Sequence, residues 1–226
     1  MDFTREVAVI TGSSSGIGLE AAQELVERGA TVYGLSRRPT PIEAPNFTWI
    51  KCDVRKVEDI DAAFDTILAK QSAVSIFINN AGLGVFGGIE SLTPEDWKDL
   101  IDTNLTAAFL CTRRLVPGMK EHERGYIFFI GSIAGKVGFK GGAGYNASNF
   151  GLAGFAEALM HELRDYGVHV SSLFPGTTNT QFFGKGQRKK QIKMQPRDIA
   201  RIIMAILEMP DYVLIDQVVM RPLSRW

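Results

Sequence analysis

The sequence predicts a single α/β domain in which a doubly wound parallel sheet of about seven strands carries helices on both faces. Short β-branched apolar runs alternate with longer helical patterns from end to end. This alternation is typical of parallel sheets, whose strands are buried on both faces by the crossover helices. The 226 residues contain no repeat of solenoid period and no low-complexity linker, so one domain over residues 1–226 is favoured over two.

Short apolar runs that end near glycine or polar residues predict the strands. They are Val7–Thr11, Thr31–Leu35, Phe47–Cys52, Ser75–Asn79, Tyr126–Gly131, Val168–Phe174 and Val213–Val219. The predicted helices lie between them. They are Ile17–Arg28, Val57–Ala69, Pro94–Lys120, Ala143–Tyr166 and Pro196–Glu208. The third helix has the clearest start, because Thr93 can cap its amino end and Pro94 suits the first helical position.

The composition is that of a folded, nearly neutral chain. Its 25 Lys and Arg balance 25 Asp and Glu, and 45% of its residues are hydrophobic, so disorder and nucleic-acid binding are disfavoured. Cys52 and Cys111 have no metal-site spacing, and we expect no metal and a reducing, cytoplasmic location. The longest uncharged run, Gln71–Ile89, holds two asparagines and four glycines, so no membrane span is expected. The first residues lack the pattern of an export signal.

A glycine-rich run joins the first predicted strand to the first predicted helix. It places Gly12, Gly16 and Gly18 between Thr11 and the helical pattern. Glycines permit a tight turn and close approach of backbone amides to phosphate, and the amino end of a helix favours an anion. No Gly-Lys-Ser/Thr follows, so a nucleoside triphosphatase loop is disfavoured and a Rossmann-type dinucleotide site is predicted.

Two arginines follow the second predicted strand. A dinucleotide fold that selects NAD usually has an acidic residue there, which binds the ribose 2′-hydroxyl. This sequence has Arg37 and Arg38 instead. Planar guanidinium groups pair well with phosphate oxygens, so we predict that these residues bind the 2′-phosphate of NADP(H).

Several motifs occur in one order along the chain. Thr11–Gly18 reads TGxxxGIG, Asn79–Gly82 reads NNAG, Ser132 ends a predicted strand and Tyr145 follows thirteen residues later. With these motifs the sequence resembles the short-chain dehydrogenase/reductase family over almost its whole length. The resemblance implies hydride transfer between NADP(H) and a small-molecule carbonyl or alcohol. It also implies a homodimer or homotetramer.

The resemblance assigns catalytic positions to Asn104, Ser132, Tyr145 and Asn149. Tyr145 would donate the proton, Ser132 would polarise the carbonyl, and Asn104 would order a water or the helix backbone behind the tyrosine. Cofactor contacts are implied for several segments. They are Gly12, Ser14, Ser15, Gly16, Ile17, Gly18, Arg37, Arg38, Asp53, Val54, Asn80, Ala81, Gly82, Tyr145, Asn149, Pro175, Gly176, Thr178 and Thr180.

The chain departs from the family at one position. The family motif is YxxxK, but Asn149 stands where the lysine is expected. A unit charge about 5 Å from the phenol, at an effective dielectric near ~20, would stabilise the phenolate by roughly 3 kcal/mol, or about two pKa units. Without it the phenol stays neutral, so carbonyl reduction should suffer less than alcohol oxidation. The Asn149 amide can still bond a ribose hydroxyl.

Three alternatives remain open at this position. Lys136 or Lys140, in the loop before Tyr145, could restore the positive charge. The protein could instead be a catalytically inactive dinucleotide-binding regulator or scaffold. Asn149 could also have been introduced by design or by an error in the sequence.

One segment breaks the alternation of strands and helices. Residues 177–195 lack core periodicity and contain Phe182, Phe183 and five basic residues. The segment follows the carboxyl end of a predicted strand, where open α/β sheets bind ligands. We therefore predict a substrate flap over 177–195, with an ordinary solvated loop as the alternative.

Overall fold

A computed structural model describes residues 1–180 and 193–223 and contains a seven-stranded, all-parallel sheet. Its strands are β1 (Val7–Thr11), β2 (Thr31–Ser36), β3 (Phe47–Lys51), β4 (Ile76–Asn79), β5 (Gly125–Ile130), β6 (Val168–Pro175) and β7 (Gln217–Met220). Their order is β3-β2-β1-β4-β5-β6-β7. The order reverses between β1 and β4, and loops that leave such a point in opposite directions open a crevice. The predicted fold class is confirmed.

Within residues 1–180 and 193–223, six α-helices cover the two faces of the sheet. They are α1 (Gly16–Glu27), α2 (Val57–Leu68), α3 (Pro94–Ile101), α4 (Ala107–Glu121), α5 (Ala143–Leu163) and α6 (Pro196–Leu207). Side chains alternate between the faces along each strand. Ile10 and Ile76 pack in the core under α1 and α6, whereas Val9 and Phe77 pack in the core under α2, α4 and α5. None of the helices in the described residues has both the length and the apolar character needed to cross a bilayer.

Three predicted elements differ from the structure. The helix predicted over Pro94–Lys120 is interrupted by a π-helical turn at Asp102–Thr106. The last strand begins at Gln217 rather than at Val213, because the Val213 amide still donates to Pro210 in a turn. Pairing with β6 starts only where Ser172 meets Gln217. The helix predicted over Ala143–Tyr166 ends as α5 at Leu163 and continues as a 3₁₀ turn over Arg164–Tyr166. The other boundaries agree within one residue, as is usual at element ends.

An ion pair between the buried Glu6 and the exposed Arg124 joins the amino ends of β1 and β5. Glu6, only 2% exposed, lies directly before β1. Arg124 donates from Nη2 to Oε1 at 2.8 Å and from Nη1 to Oε2 at 3.0 Å, so both carboxylate oxygens are engaged. This edge of the sheet is opposite the carboxyl ends of the strands, where parallel sheets place their sites.

We expect Arg124→Met to lower the free energy of unfolding by about 2 kcal/mol, because it leaves the buried Glu6 carboxylate without a partner. The matched control is Arg114→Met. Arg114 bridges the more exposed carboxylates of Asp61 and Asp65, and losing such surface pairs should cost less than about 1 kcal/mol. Urea unfolding of the two variants measures the difference. If both variants lose the same free energy of unfolding, the Glu6–Arg124 pair has no special stabilising role.

Candidate active site

The glycine loop is held against the segment that follows β4. Gly12 has a left-handed φ of 71°, and a Cβ at this position would lie 2.9 Å from Nδ2 of Asn80. That same Nδ2 donates to the carbonyls of Thr11 at 3.0 Å and Gly12 at 3.3 Å. A side chain at position 12 would therefore separate the loop from Asn80. Gly18 lies behind the loop, where a Cβ would approach the Gly12 carbonyl oxygen to 2.6 Å.

The hydroxyl of Thr11 fixes the same junction. It accepts hydrogen bonds from the backbone amides of Asn80 and Ala81, each at 3.0 Å. The next residues lead into α1, whose N-cap Ser15 makes no side-chain capping bond. The first amides of α1 are thus not capped by Ser15, and such amides at a helix amino end can bind phosphate.

A crevice of about 930 Å³ runs across the carboxyl ends of the strands. It brings together all the predicted site residues except Gly18. They are Gly12, Ser14, Ser15, Gly16, Ile17, Arg37, Arg38, Asp53, Val54, Asn80, Ala81, Gly82, Asn104, Ser132, Tyr145, Asn149, Pro175, Gly176, Thr178 and Thr180. The described residues contain no cluster of histidine, cysteine and acidic side chains that could hold a metal.

One end of the crevice is rich in charge. Arg37 and Arg38 line it beside Asp53 and Val54. The turn after β2 is fixed by Ser36, whose Oγ donates to the Arg38 carbonyl at 2.6 Å. Hydrogen bonds from Arg55, above all from its side chain, lower the pKa of Asp53 to about 2. Asp53 is therefore an anion at neutral pH.

At the other end Tyr145, on the first turn of α5, lies close to Ser132. Ser132 follows β5 and accepts a hydrogen bond from the Ala134 amide at 3.2 Å, which caps a short 3₁₀ turn. Burial raises the pKa of Tyr145, and hydrogen bonding with Ser132 and Asn149 offsets only part of that effect. The phenol is therefore protonated at neutral pH, beside a hydroxyl that lines the same crevice.

Asn149 lies one helical turn after Tyr145 and is 4% exposed. Its Nδ2 donates to the Tyr145 carbonyl at 2.9 Å. Lys136 does not replace the missing cation, because its Nζ donates to Gln217 at 2.6 Å and lies 4.3 Å from the centre of the Phe174 ring. Lys140 is exposed and does not line the crevice. Among the described lining residues, every arginine or lysine is at the Asp53 end of the crevice.

Asn104 lies in the π-helical turn and connects two segments of the site. Its Oδ1 accepts from the Leu83 amide at 2.9 Å, while its Nδ2 donates to the Leu83 carbonyl at 2.9 Å and to Ser148 Oγ at 3.0 Å. Ser148 in turn donates to the Tyr145 carbonyl at 2.9 Å. Asn104 therefore positions the helix backbone behind Tyr145.

Phe139 and Arg55 are among the crevice-lining residues that were not predicted from the sequence. Phe139 packs 6.0 Å from Phe86, which presents its ring to Tyr145 at 5.3 Å and 70°. Arg55 binds Asp53. Phe139 lies in a glycine-rich loop without periodicity, so no pattern marked it. Arg55 could have been found from the sequence, because it lies two residues after the predicted cofactor contact Asp53.

The predicted flap is described only at its two ends. Phe182, Phe183 and the basic residues at 185–190 lie outside the described residues. Thr178 and Met194 form an isolated parallel bridge, in which the Asn179 amide donates to the Met194 carbonyl at 2.8 Å. Both described ends therefore lie side by side next to Thr178 and Thr180, which line the crevice.

Comparison with known proteins identifies relatives of the chain. The family profile described as short chain dehydrogenase matches residues 6–191. A putative ketoacyl reductase of Streptomyces coelicolor is 36% identical over 189 residues, which are 77% of this chain and 71% of that protein. The 3-oxoacyl-[acyl-carrier-protein] reductase FabG of Vibrio harveyi is 31% identical over 220 residues, covering 90% of each chain.

Solved structures of the same architecture are also similar to this chain. A closed serine dehydrogenase complexed with NADP+ superposes with a TM-score of 0.90 at 26% identity, over 95% of this chain and 94% of that one. A metagenomic short-chain oxidoreductase in complex with NADP gives a TM-score of 0.84 at 31% identity over 100% of both chains. Because the family profile spans most of the sequence and the relatives match it at 31–36% identity, the chain belongs to the short-chain dehydrogenase family.

Proposed function

We propose that this protein is an NADP(H)-dependent oxidoreductase that reduces a ketone or aldehyde to an alcohol by hydride transfer. The observation that carries the proposal is the buried Tyr145 phenol beside Ser132 in the crevice. Burial keeps the phenol protonated, and a protonated phenol can donate to the alkoxide that forms as a carbonyl accepts hydride.

The crevice fits a dinucleotide on features of its own. Gly12 and Gly16 have left-handed φ in the loop that lines the crevice, the first amides of α1 lack a cap from Ser15, and the arginines Arg37 and Arg38 lie at one end. NADP(H), when bound, supplies the hydride. Structural relatives of at least 26% identity that contain NADP+ or NADP support this choice of cofactor, although one relative of 27% identity is complexed with NADH.

The chain's own residues would then donate the proton, polarise the carbonyl and position the helix that carries Tyr145. Tyr145 holds the proton on its phenolic oxygen, and the Ser132 hydroxyl can donate to the carbonyl oxygen as negative charge develops there. Asn104 keeps α5 in place through Ser148. The aromatic rings of Phe86 and Phe139 border the same end of the crevice.

Asn149 determines which direction is favoured. Oxidation of an alcohol needs the phenolate, which for an ordinary phenol with a pKa of ~10 is only about 0.1% of the population at pH 7. Burial raises the pKa of Tyr145 further. The protein should therefore act as a reductase, with lower activity than a variant that carries the lysine.

Tyr145→Phe should lower the rate of NADPH oxidation by a carbonyl substrate at least about a hundredfold, because the proton donor is lost. Stopped-flow absorbance with a panel of ketones, aldehydes and diketones measures it. The control is Tyr126→Phe at the opposite edge of the sheet, where the phenol donates to Asp211 at 2.7 Å. This control should lose about 1 kcal/mol of stability and keep its rate. Equal rates for the two variants would exclude Tyr145 as the donor.

Asn149→Lys should shift the alkaline rise of alcohol oxidation to lower pH by about two units, because a nearby cation stabilises the phenolate and lowers the pKa of Tyr145. The pH profile of NADP+ reduction measures the shift. Asn149→Met is the matched control, since it has similar length without charge. If the two variants have the same profile, charge at position 149 does not control the phenol.

The alternative of a binding-only regulator has a distinct outcome. Calorimetry would detect NADPH binding, while neither the native protein nor Asn149→Lys would reduce any carbonyl of the panel. Turnover by the native protein excludes this alternative.

We also propose that the protein is a homodimer or homotetramer that functions in the cytoplasm. Phe109 on α4 and Phe150 on α5 are 46% and 47% exposed, and such apolar groups are commonly covered in an assembly. Cys52 and Cys111 are free and buried, in keeping with a reducing compartment.

Replacing both Phe109 and Phe150 by Glu should lower the molar mass measured by light scattering to that of one chain, because charge in the interface opposes association. Met209→Glu, a substitution at an exposed residue after α6, is the control and should leave the mass unchanged. An unchanged mass in the double variant would place the interface elsewhere.

A further inference from the structure

Arg55 lies between two carboxylates at the charged end of the crevice. Its Nε donates to Asp53 Oδ1 at 3.0 Å and its Nη2 donates to Asp53 Oδ2 at 2.7 Å. Its Nη1 donates to Asp99 on α3 at 3.0 Å. Both oxygens of Asp53 are thus bound by a single guanidinium group, which is the strongest geometry for such a pair.

Asp53 and Arg37 leave the sheet from neighbouring points. β2 and β3 pair in parallel, with Ser36 opposite Lys51, and the Cys52 amide donates to the Ser36 carbonyl at 3.2 Å. Arg37 follows Ser36 and Asp53 follows Cys52, and both line the crevice. The charge of Arg37 also helps to lower the pKa of Asp53, so an anion placed beside Arg37 is near the Asp53 carboxylate as well.

A phosphate group beside Arg37 would lie near charges of both signs. A phosphomonoester carries a charge of about −1.5 to −2 at neutral pH. Beside Arg37 it would be attracted by one guanidinium and repelled by the ionised Asp53. Repulsion by one unit charge at about 7 Å, with an effective dielectric of ~20, corresponds to about fiftyfold in affinity for each unit of phosphate charge. Salt and solvent screen this repulsion, so the expected effect is about tenfold. An adenosine without the phosphate would not experience this repulsion.

We propose that Arg55 is a specificity-determining residue, which neutralises Asp53 so that the crevice accepts the 2′-phosphate of NADP(H) beside Arg37. Asp99 positions Arg55 from the other side. Because the Asp99 side chain is 49% exposed, solvent screens its own charge from the crevice. The inference rests on the proposed cofactor, and it assigns the preference for NADP(H) over NAD(H) to a charge pair in addition to the arginines after β2.

Calorimetric titration with adenosine 2′,5′-bisphosphate and with adenosine 5′-monophosphate tests the proposal without turnover. The readout is the ratio of the two dissociation constants, because any loss of adenine contacts affects both ligands alike. Arg55→Met should reduce the preference for the bisphosphate about tenfold. Arg55→Lys, which keeps the charge, should retain most of the preference.

The double variant Arg55→Met with Asp53→Asn decides whether charge is the cause. Removing the unpaired carboxylate should restore most of the lost preference. No restoration, or an equal loss for both ligands in Arg55→Met, would overturn the proposal. If Arg55→Met does not fold, as judged by circular dichroism, then Asp53→Asn alone is measured. This variant should keep or increase the preference for the bisphosphate, and a decrease would overturn the proposal.

Arg114→Met is the control, since Arg114 also pairs with two acids but lies outside the crevice lining. It should leave the ratio unchanged. If the native protein binds both ligands equally, the NADP(H) assignment itself fails, and this inference fails with it. If the native protein prefers the bisphosphate and Arg55→Met keeps that preference, only the inference about Arg55 fails.

Discussion

The junction between Thr11 and the segment after β4 is the contact on which the site depends. The two amides of Asn80 and Ala81 donate to the Thr11 hydroxyl where the strand order reverses. β1 leads into α1 on one face, whereas the chain after β4 continues to helices on the other face. Because the chain leaves β1 and β4 toward opposite faces, a crevice opens between them. The hydrogen bonds to the Thr11 hydroxyl hold the two segments together at its base. The glycine loop can approach Asn80 only because Gly12 has no side chain.

The two ends of the crevice use different physical interactions. At the charged end, ionised groups balance one another between β2, β3 and α3. At the end that contains Tyr145, neutral groups are bonded in a chain that passes from Leu83 through Asn104 and Ser148 to α5. Such a chain places the phenol without changing its charge, so the electrostatic environment of Tyr145 is set chiefly by burial.

Local patterns predicted much of the fold. β1 and β4 are buried runs bounded by polar residues, and their ends were predicted within a residue. The glycine loop followed from its place between a strand and a helix, whereas the positions of Ser132 and Tyr145 were implied by the resemblance to the short-chain dehydrogenase/reductase family. The lack of a cation at position 149 could be seen in the sequence, whereas burial, which raises the pKa of Tyr145 most, could not.

The features that could not be predicted from the sequence depend on tertiary contacts. The π-helical turn at Asp102–Thr106 has no periodic signal, since it is stabilised by bonds from Asn104 to Leu83, which is 21 residues away in the chain. Arg55 follows Asp53 closely in the sequence, but only the pairing of β2 with β3 shows that Asp53 lies near Arg37. Phe139 meets Phe86 across two loops. In each case the decisive contact joins two segments that are separate in the sequence, so no local rule could identify it.

The sheet separates its two polar edges by the length of its strands. Glu6, Arg124 and the Tyr126–Asp211 pair lie at the amino edge, whereas the crevice lies at the carboxyl edge. Substitutions far apart and without shared partners act nearly additively. Stabilising substitutions at the amino edge should therefore raise the free energy of unfolding without changing the crevice. The added stability can offset the loss caused by substitutions that redesign the crevice for a new reaction.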